Sequence, residues 1–255
     1  MSVVEKFDLS GRVAIVTGGS RGMGRSIVRA FAEQGADVVI ASRKLENCEA
    51  LAAEVREATG RRALGVACHV GHWPDCDALI DTTLREFGGV DILVNNAGMS
   101  PLYDHLAAVS EDLYDKTLAV NLKGPFRLGV LAGTYMAAHD GGSIINVGTI
   151  GSLIASVHEL PYACAKAGLN ALTVGLAEAF APNVRVNAIL PGAFATDISK
   201  AWSEEMRSGA HIPMQRTAEP DEIVGAALYL ASDASSYTSG ASIRVDGGVT
   251  RKVGG

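Results

Sequence analysis

VAIVTGGSRGMG, residues 13–24, decides the fold. A short apolar run of strand character passes directly into a glycine-rich turn, and SIVRAFAEQG at 26–35 follows with helical character. Glycines let backbone approach a ligand closely, and the helix N-terminus adds unpaired N–H groups and the positive end of its dipole. A turn in this setting is a cradle for a nucleotide pyrophosphate, with Gly18, Gly22 and Gly24 as its glycines.

Working outward, short apolar runs recur at 36–41, 63–68, 91–95, 143–148, 184–189 and 242–246, separated by longer segments of helical period. This alternation is the signature of βαβ units feeding a parallel sheet. Leu45, Cys48, Leu51, Ala52 and Val55 show the three- and four-residue spacing of one crossover helix. No repeat or Pro/Gly/Ser linker interrupts the pattern. The expectation is an α/β chain folded as a single-domain, doubly wound, Rossmann-type unit over residues 1–255, with a seven-stranded parallel sheet.

The least regular stretch, 191–219, follows the sixth strand at the carboxyl edge, where open α/β sheets bind ligands. Its apolar residues Phe194, Ile198, Trp202, Met206, Ile212 and Met214 form either a lid over a substrate or an ordinary buried helix pair. In the lid reading, the bulk of Phe194, Trp202 and Met206 favours an apolar ligand over a sugar.

A net charge of −6 and a pI near 5.5, with scattered basic residues, argue against a nucleic-acid partner. No window approaches the roughly 18 apolar residues of a membrane helix, and the N-terminus carries acids where a signal peptide is apolar, so the reading is cytoplasmic and without a membrane partner. Cys48, Cys68, Cys76 and Cys164 form no CxxC pair, which fits reduced thiols. Cys68, His69, His72 and Cys76 contain zinc-compatible ligand types. Their spacing instead fits a strand end and its loop, so no metal is expected.

Two positions carry the chemistry. Past the second strand stand Ser42, Arg43 and Lys44, with no acid to bind a ribose diol; Arg21 in the glycine turn adds positive charge and Ser20 a hydroxyl. NADP(H) is favoured over NAD(H) by this charge logic, unless Arg43 and Lys44 simply open a solvated helix. In PYACAK, Tyr162 and Lys166 stand four apart on one helix face and can do proton chemistry.

TGGSRGMG, NNAG at 95–98, Asn121 in VNLKG, the YACAK pentad and Pro191-Gly192 followed by Thr196 fall in one order. This resembles the classical short-chain dehydrogenase/reductase family from about Ser10 to Gly248. GASIRVDGG and RTAEPDEIVGAALYLASD resemble its 3-oxoacyl-carrier-protein reductase-like branch. The resemblance implies an enzyme moving hydride between a nicotinamide and a carbonyl or secondary alcohol, with Tyr162 as acid/base. Lys166 would lower the phenol's pKa and hold the nicotinamide ribose, while Asn121 would hold a water linking Lys166 to solvent. It further implies cofactor contacts from Met23, Asn95, Ala97, Gly98, Pro191, Gly192 and Thr196, with Asn95 and Asn96 also bonding neighbouring strands. A homotetramer would pair the helices expected at 110–138 and 161–181.

Two positions depart from the family pattern. Thr149 stands where a serine is usual; it keeps the hydroxyl donor and adds a methyl that restricts χ1, with Ser152 as a second donor. His69 stands where an aspartate is usual; a neutral imidazole there could accept from the adenine amino group, beside Val70. A 3-oxoacyl thioester reductase is the nearest alternative. A nucleotide-binding regulatory subunit with weak turnover is the alternative of another class.

Overall fold

The computed structural model describes residues 2–196 and 204–250. Its seven strands are β1 (Val13–Thr17), β2 (Asp37–Ser42), β3 (Ala63–Ala67), β4 (Ile92–Asn95), β5 (Gly142–Val147), β6 (Val184–Pro191) and β7 (Ser242–Val245). They form one parallel sheet in the order β3-β2-β1-β4-β5-β6-β7. This is the expected doubly wound sheet. The order reverses between β1 and β4, which opens a crevice at their carboxyl ends.

Alternating side chains of the strands feed two cores. On one face Ala14, Val16, Val38, Ile40 and Val94 meet α1 (Gly22–Glu33), α2 (Leu45–Thr59) and α8 (Val224–Ala231). On the other, Ile15, Val39, Leu93 and Ile144 meet α3 (Trp73–Phe87), α5 (Gly124–Ala137) and α6 (Leu160–Ala179). Burial on both faces explains why the strands read as continuous apolar runs.

The segment expected as one helix over 110–138 is instead α4 (Glu111–Leu118), a π turn (Ala119–Lys123) and α5. Ser110 caps the start, accepting from the Leu113 nitrogen at 3.2 Å. The π turn closes with the Gly124 nitrogen donating to the Ala119 carbonyl. Pro125 follows immediately and has no N–H to offer the Asn121 carbonyl four residues back, so the α pattern cannot run through.

The apolar residues of 191–219 divide between burial and exposure among the described residues. Phe194 and Ile212 are buried, and Phe194 sits in the α1/α8 core, bridged to Ala218. Met214 is exposed. Ile198 and Trp202 lie outside the described residues; Met206 falls in α7 (Glu204–Ser208).

Candidate active site

Thr17, the last residue of β1, ties the crevice together. Its Oγ1 donates to the Val94 carbonyl and accepts from the Asn96 and Ala97 nitrogens at 3.0 and 3.1 Å. Asn96 Nδ2 returns the tie, donating to the Thr17 and Gly18 carbonyls at 2.9 and 3.2 Å. The glycine turn and the NNAG segment are thus one bonded unit. A Cβ on Gly18 would come within 2.9 Å of Ala97 Cα, and one on Gly24 would run into the Gly18 carbonyl. Gly18 and Gly22 also take positive φ, +62° and +51°. The turn therefore offers backbone alone to a ligand, the surface a pyrophosphate needs.

Met23, half-buried, follows Gly22 in the first turn of α1 and packs against the α1/α8 core. Ser20 Oγ donates to Ser42 Oγ at 3.1 Å, joining the glycine turn to the end of β2. Arg21 and Arg43 are exposed beside this link. Thr196 reaches back from the end of β6: its Cγ2 lies 3.4 Å from a Cβ built on Gly22. Gly192 donates its N–H to the Val245 carbonyl at 2.9 Å, and a Cβ there would lie 2.8 Å from Asp246 Cα. Pro191 ends β6 beside Val245.

The loop after β3 differs from expectation. His69 Nδ1 accepts from the Gly71 nitrogen at 3.2 Å, and its ring stacks on His72 at 4.3 Å. The acceptor nitrogen expected to receive an adenine amino group is already used, leaving Nε2 as the donor of a neutral ring. Val70 is buried, and its carbonyl accepts from the Cys76 thiol at 3.3 Å. Among the described residues no group of three or more His, Cys, Asp or Glu is placed to hold a metal ion.

Tyr162 and Lys166 lie in the first half of α6, as their spacing requires. Lys166 is 2% exposed; its Nζ donates to the Val147 carbonyl at 2.7 Å and sits 5.7 Å from the Tyr162 ring centre. Burial lowers its pKa to about 8. Tyr162 is half-buried, and its phenol is pushed above its ordinary value by lost hydration and by the charge of Glu159, against a hydrogen bond from Thr149 that favours the phenolate. The lowering expected from Lys166 is overridden, because the ammonium is directed at a backbone carbonyl and desolvation dominates.

Thr149 occupies the place expected of it, one residue beyond Gly148 at the end of β5. Its Oγ1 accepts from the Gly151 nitrogen at 3.1 Å. Ser152 does not serve as the second donor: its hydroxyl donates to the Thr149 carbonyl at 2.6 Å. Asn121 is buried in the π turn, with Nδ2 donating to the Met99 and Thr117 carbonyls at 2.8 Å each and Oδ1 accepting from the Met99 nitrogen at 3.2 Å. Gly98 leaves the space beside it open, since a Cβ there would lie 3.1 Å from Asn121 Oδ1 and 3.8 Å from Lys166 Nζ. The buried Asn95 side chain bonds the neighbouring strand, donating to Asn146 Oδ1 at 2.9 Å. Asn146 in turn donates to Thr173 Oγ1 at 2.9 Å, linking β4 and β5 to α6.

Sequence reasoning passed over Thr17, Asn146 and Glu159. Thr17 and Asn146 end or interrupt apolar strands, a polar intrusion that is legible; Glu159 was visible only as an acid three residues before the tyrosine.

Known proteins resemble this chain throughout. Residues 18–250 match the family model described as enoyl-(acyl carrier protein) reductase. Human dehydrogenase/reductase SDR family member 4 is 34% identical over 96% of this chain and 90% of its own length. The L-rhamnose 1-dehydrogenase (NAD(P)(+)) of Azotobacter vinelandii strain DJ is 37% identical, over 93% of this chain and 96% of its own length. A gluconate 5-dehydrogenase from Burkholderia cenocepacia J2315, solved in complex with NADP and tartrate, superposes with a TM-score of 0.93 at 33% identity, covering 99% of this chain and all of that one (100%). With the sheet order, the glycine cradle and the Tyr162–Lys166 pair in place, these likenesses make the chain a member of the short-chain dehydrogenase/reductase family, and so an NAD(P)-dependent oxidoreductase of CH–OH and C=O groups.

Proposed function

We propose that this enzyme uses NADP(H) to interconvert a ketone and a secondary alcohol, with Tyr162 as the proton donor and acceptor. The observation that carries the reading is the gathering of Tyr162, the Thr149 hydroxyl that acts on its phenol and the buried Lys166, whose Nζ lies 5.7 Å from the Tyr162 ring centre, at the carboxyl edge that also holds the glycine cradle. A bound nicotinamide supplies or accepts the hydride. The chain's own groups do the rest. Tyr162, held protonated at neutral pH by its raised pKa, delivers a proton to the oxygen of a carbonyl being reduced. The Thr149 hydroxyl orients that oxygen, and Lys166 carries positive charge to the same place. Asn121 fixes the Met99 backbone, and its carbonyl, opposite the nitrogen of Pro125, is suited to hold a water that returns protons to Lys166.

The cofactor would lie on backbone from Gly18, Gly22, Met23 and Gly24, and on Val70, Ala97 and Gly98, with Pro191, Gly192 and Thr196 at the nicotinamide end. His69 would meet the adenine as a donor through Nε2. Asn95 contributes through its backbone and by holding β4 in register. Exposed Arg21 and Arg43, with Ser20 and Ser42 between them and no acid after β2, favour a 2′-phosphate. Exposed Leu102, Ile154, Val157 and Met214, on loops leaving β4, β5 and β6, favour a substrate with an apolar body. A cytoplasmic homotetramer is the assembly we infer by resemblance.

The test is NADPH and NADH oxidation with a panel of ketones, aldehydes, quinones and 3-oxoacyl thioesters. We expect NADPH to be preferred at least tenfold in kcat/KM, and Tyr162→Phe to lose at least a hundredfold in kcat while still binding NADPH. Tight NADPH binding with no turnover on any carbonyl would replace this reading with that of a regulatory nucleotide-binding subunit.

A further inference from the structure

Glu159 stands at the N-cap position of α6, where a side-chain oxygen can accept a hydrogen bond from the first turn of the helix. Here it makes no capping bond. Among the described residues its carboxylate accepts no hydrogen bond and joins no ion pair, although the side chain is half-buried. A carboxylate partly withdrawn from water without a partner carries a desolvation cost. Its placement gives the reason. A Cβ built on Gly151 would lie 2.6 Å from Glu159 Oε1 and 3.5 Å from Thr149 Oγ1, so the two oxygens border the same small space. Glu159 is also close enough to Tyr162 for its charge to act on the phenol. The loop before it exposes the apolar side chains of Leu153, Ile154 and Val157. Tyr103 clamps that loop, its hydroxyl donating to the Val157 carbonyl at 2.6 Å and accepting from the Leu160 nitrogen at 2.8 Å.

We propose that Glu159 is a specificity-determining residue: its carboxylate accepts a hydrogen bond from a hydroxyl or ammonium group carried beside the reacting carbonyl of an otherwise apolar substrate. The inference rests on the Tyr162 reading above. In it, the substrate oxygen faces Thr149 and Tyr162, and its neighbouring donor replaces the water that Glu159 lost on folding. Such a site binds a ketone lacking the donor less well, because the half-buried carboxylate then stays unpaired. Burial already raises the pKa of Glu159, as expected of a group that no protein donor stabilises.

The experiment uses three ketones of one carbon skeleton: plain, with a vicinal hydroxyl, and with a vicinal protonated amine. Wild type, Glu159→Gln and Glu159→Leu are compared by kcat and KM. We expect the wild type to favour at least one donor-bearing ketone over the plain one by about tenfold or more in kcat/KM, mainly through KM. Glu159→Leu should erase that ratio. Glu159→Gln, which keeps the acceptor oxygen and loses the charge, should preserve the ratio for a hydroxyl and erase it for an ammonium, which identifies the group recognised. Any general effect of the lost charge on Tyr162 is common to the three ketones and cancels in the ratio. An unchanged ratio in both variants, or no preference in the wild type, overturns the inference and leaves the Tyr162 reading standing. Failure of the wild type to reduce any ketone overturns both.

Discussion

Lys166 is a cation at 2% exposure whose ammonium donates to the Val147 carbonyl, and its pKa of about 8 records the cost of keeping the charge there. Below pH 8 both folded and unfolded chains carry the proton, and the folded one bears the full burial penalty. Between about 8 and the ordinary lysine value near 10.5 the unfolded chain binds more protons, so this contribution to stability rises with pH. Lys166→Met is therefore expected to abolish turnover and raise the thermal midpoint at pH 7, by an amount worth a few kcal/mol at about 1.4 per pKa unit. Calorimetry from pH 6 to 9.5 checks it; the gain must shrink above pH 8. The pair itself was legible in YACAK, because spacing of four fixes a shared helix face. The directions of the pKa shifts were not, because they depend on where Nζ points, which the Val147 carbonyl at the end of β5 decides, and on how far folding withdraws both groups from water.

Asn121 shows what an element can hide. The apolar period over 110–138 reads as one helix, because a single i→i+5 closure barely disturbs it; only Pro125 hinted otherwise. The π turn places the Asn121 side chain on the backbone of Met99 with three hydrogen bonds at 2.8 to 3.2 Å, counting the one to Thr117. Asn121→Ala removes all three from a buried site, and at about 1 kcal/mol each the expected loss is roughly 3 kcal/mol, seen as a lower urea midpoint. We expect kcat to fall more than tenfold with little change in NADPH affinity. The strands were easier to read, since a strand covered on both faces must be apolar throughout, and only its ends shifted by a residue or so.

At the scale of the whole molecule, the doubly wound sheet was legible from the alternation of runs, while the neighbour order was not, because nothing in the runs says which strands pair. Helix packing was also ambiguous. Gly129 and Gly133 of α5 serve packing within the chain, since a Cβ would lie 2.7 Å from Leu176 Cδ1 at the first and press into the Phe180 ring at the second. The exposed side of α6 is different: Ala167, Ala171, Val174 and Gly175 face outward, with nothing within 4 Å of a Cβ on Gly175. If the homotetramer forms through this helix, sedimentation at micromolar concentration should give four chains, and Ala171→Arg should reduce that number with the monomer fold retained by circular dichroism. A wild-type monomer would remove the proposed assembly.

Thr17 and Asn96 join parts of the chain 79 residues apart. Neither the glycine turn nor NNAG can reach its final form alone. During synthesis, the first three strands leave the ribosome before β4 exists to receive them, so the nucleotide cradle is completed only once residue 97 has emerged. A nascent chain that ends earlier has a phosphate loop by sequence but no partner to set it, and the cofactor can act as a folding ligand only from that point onward.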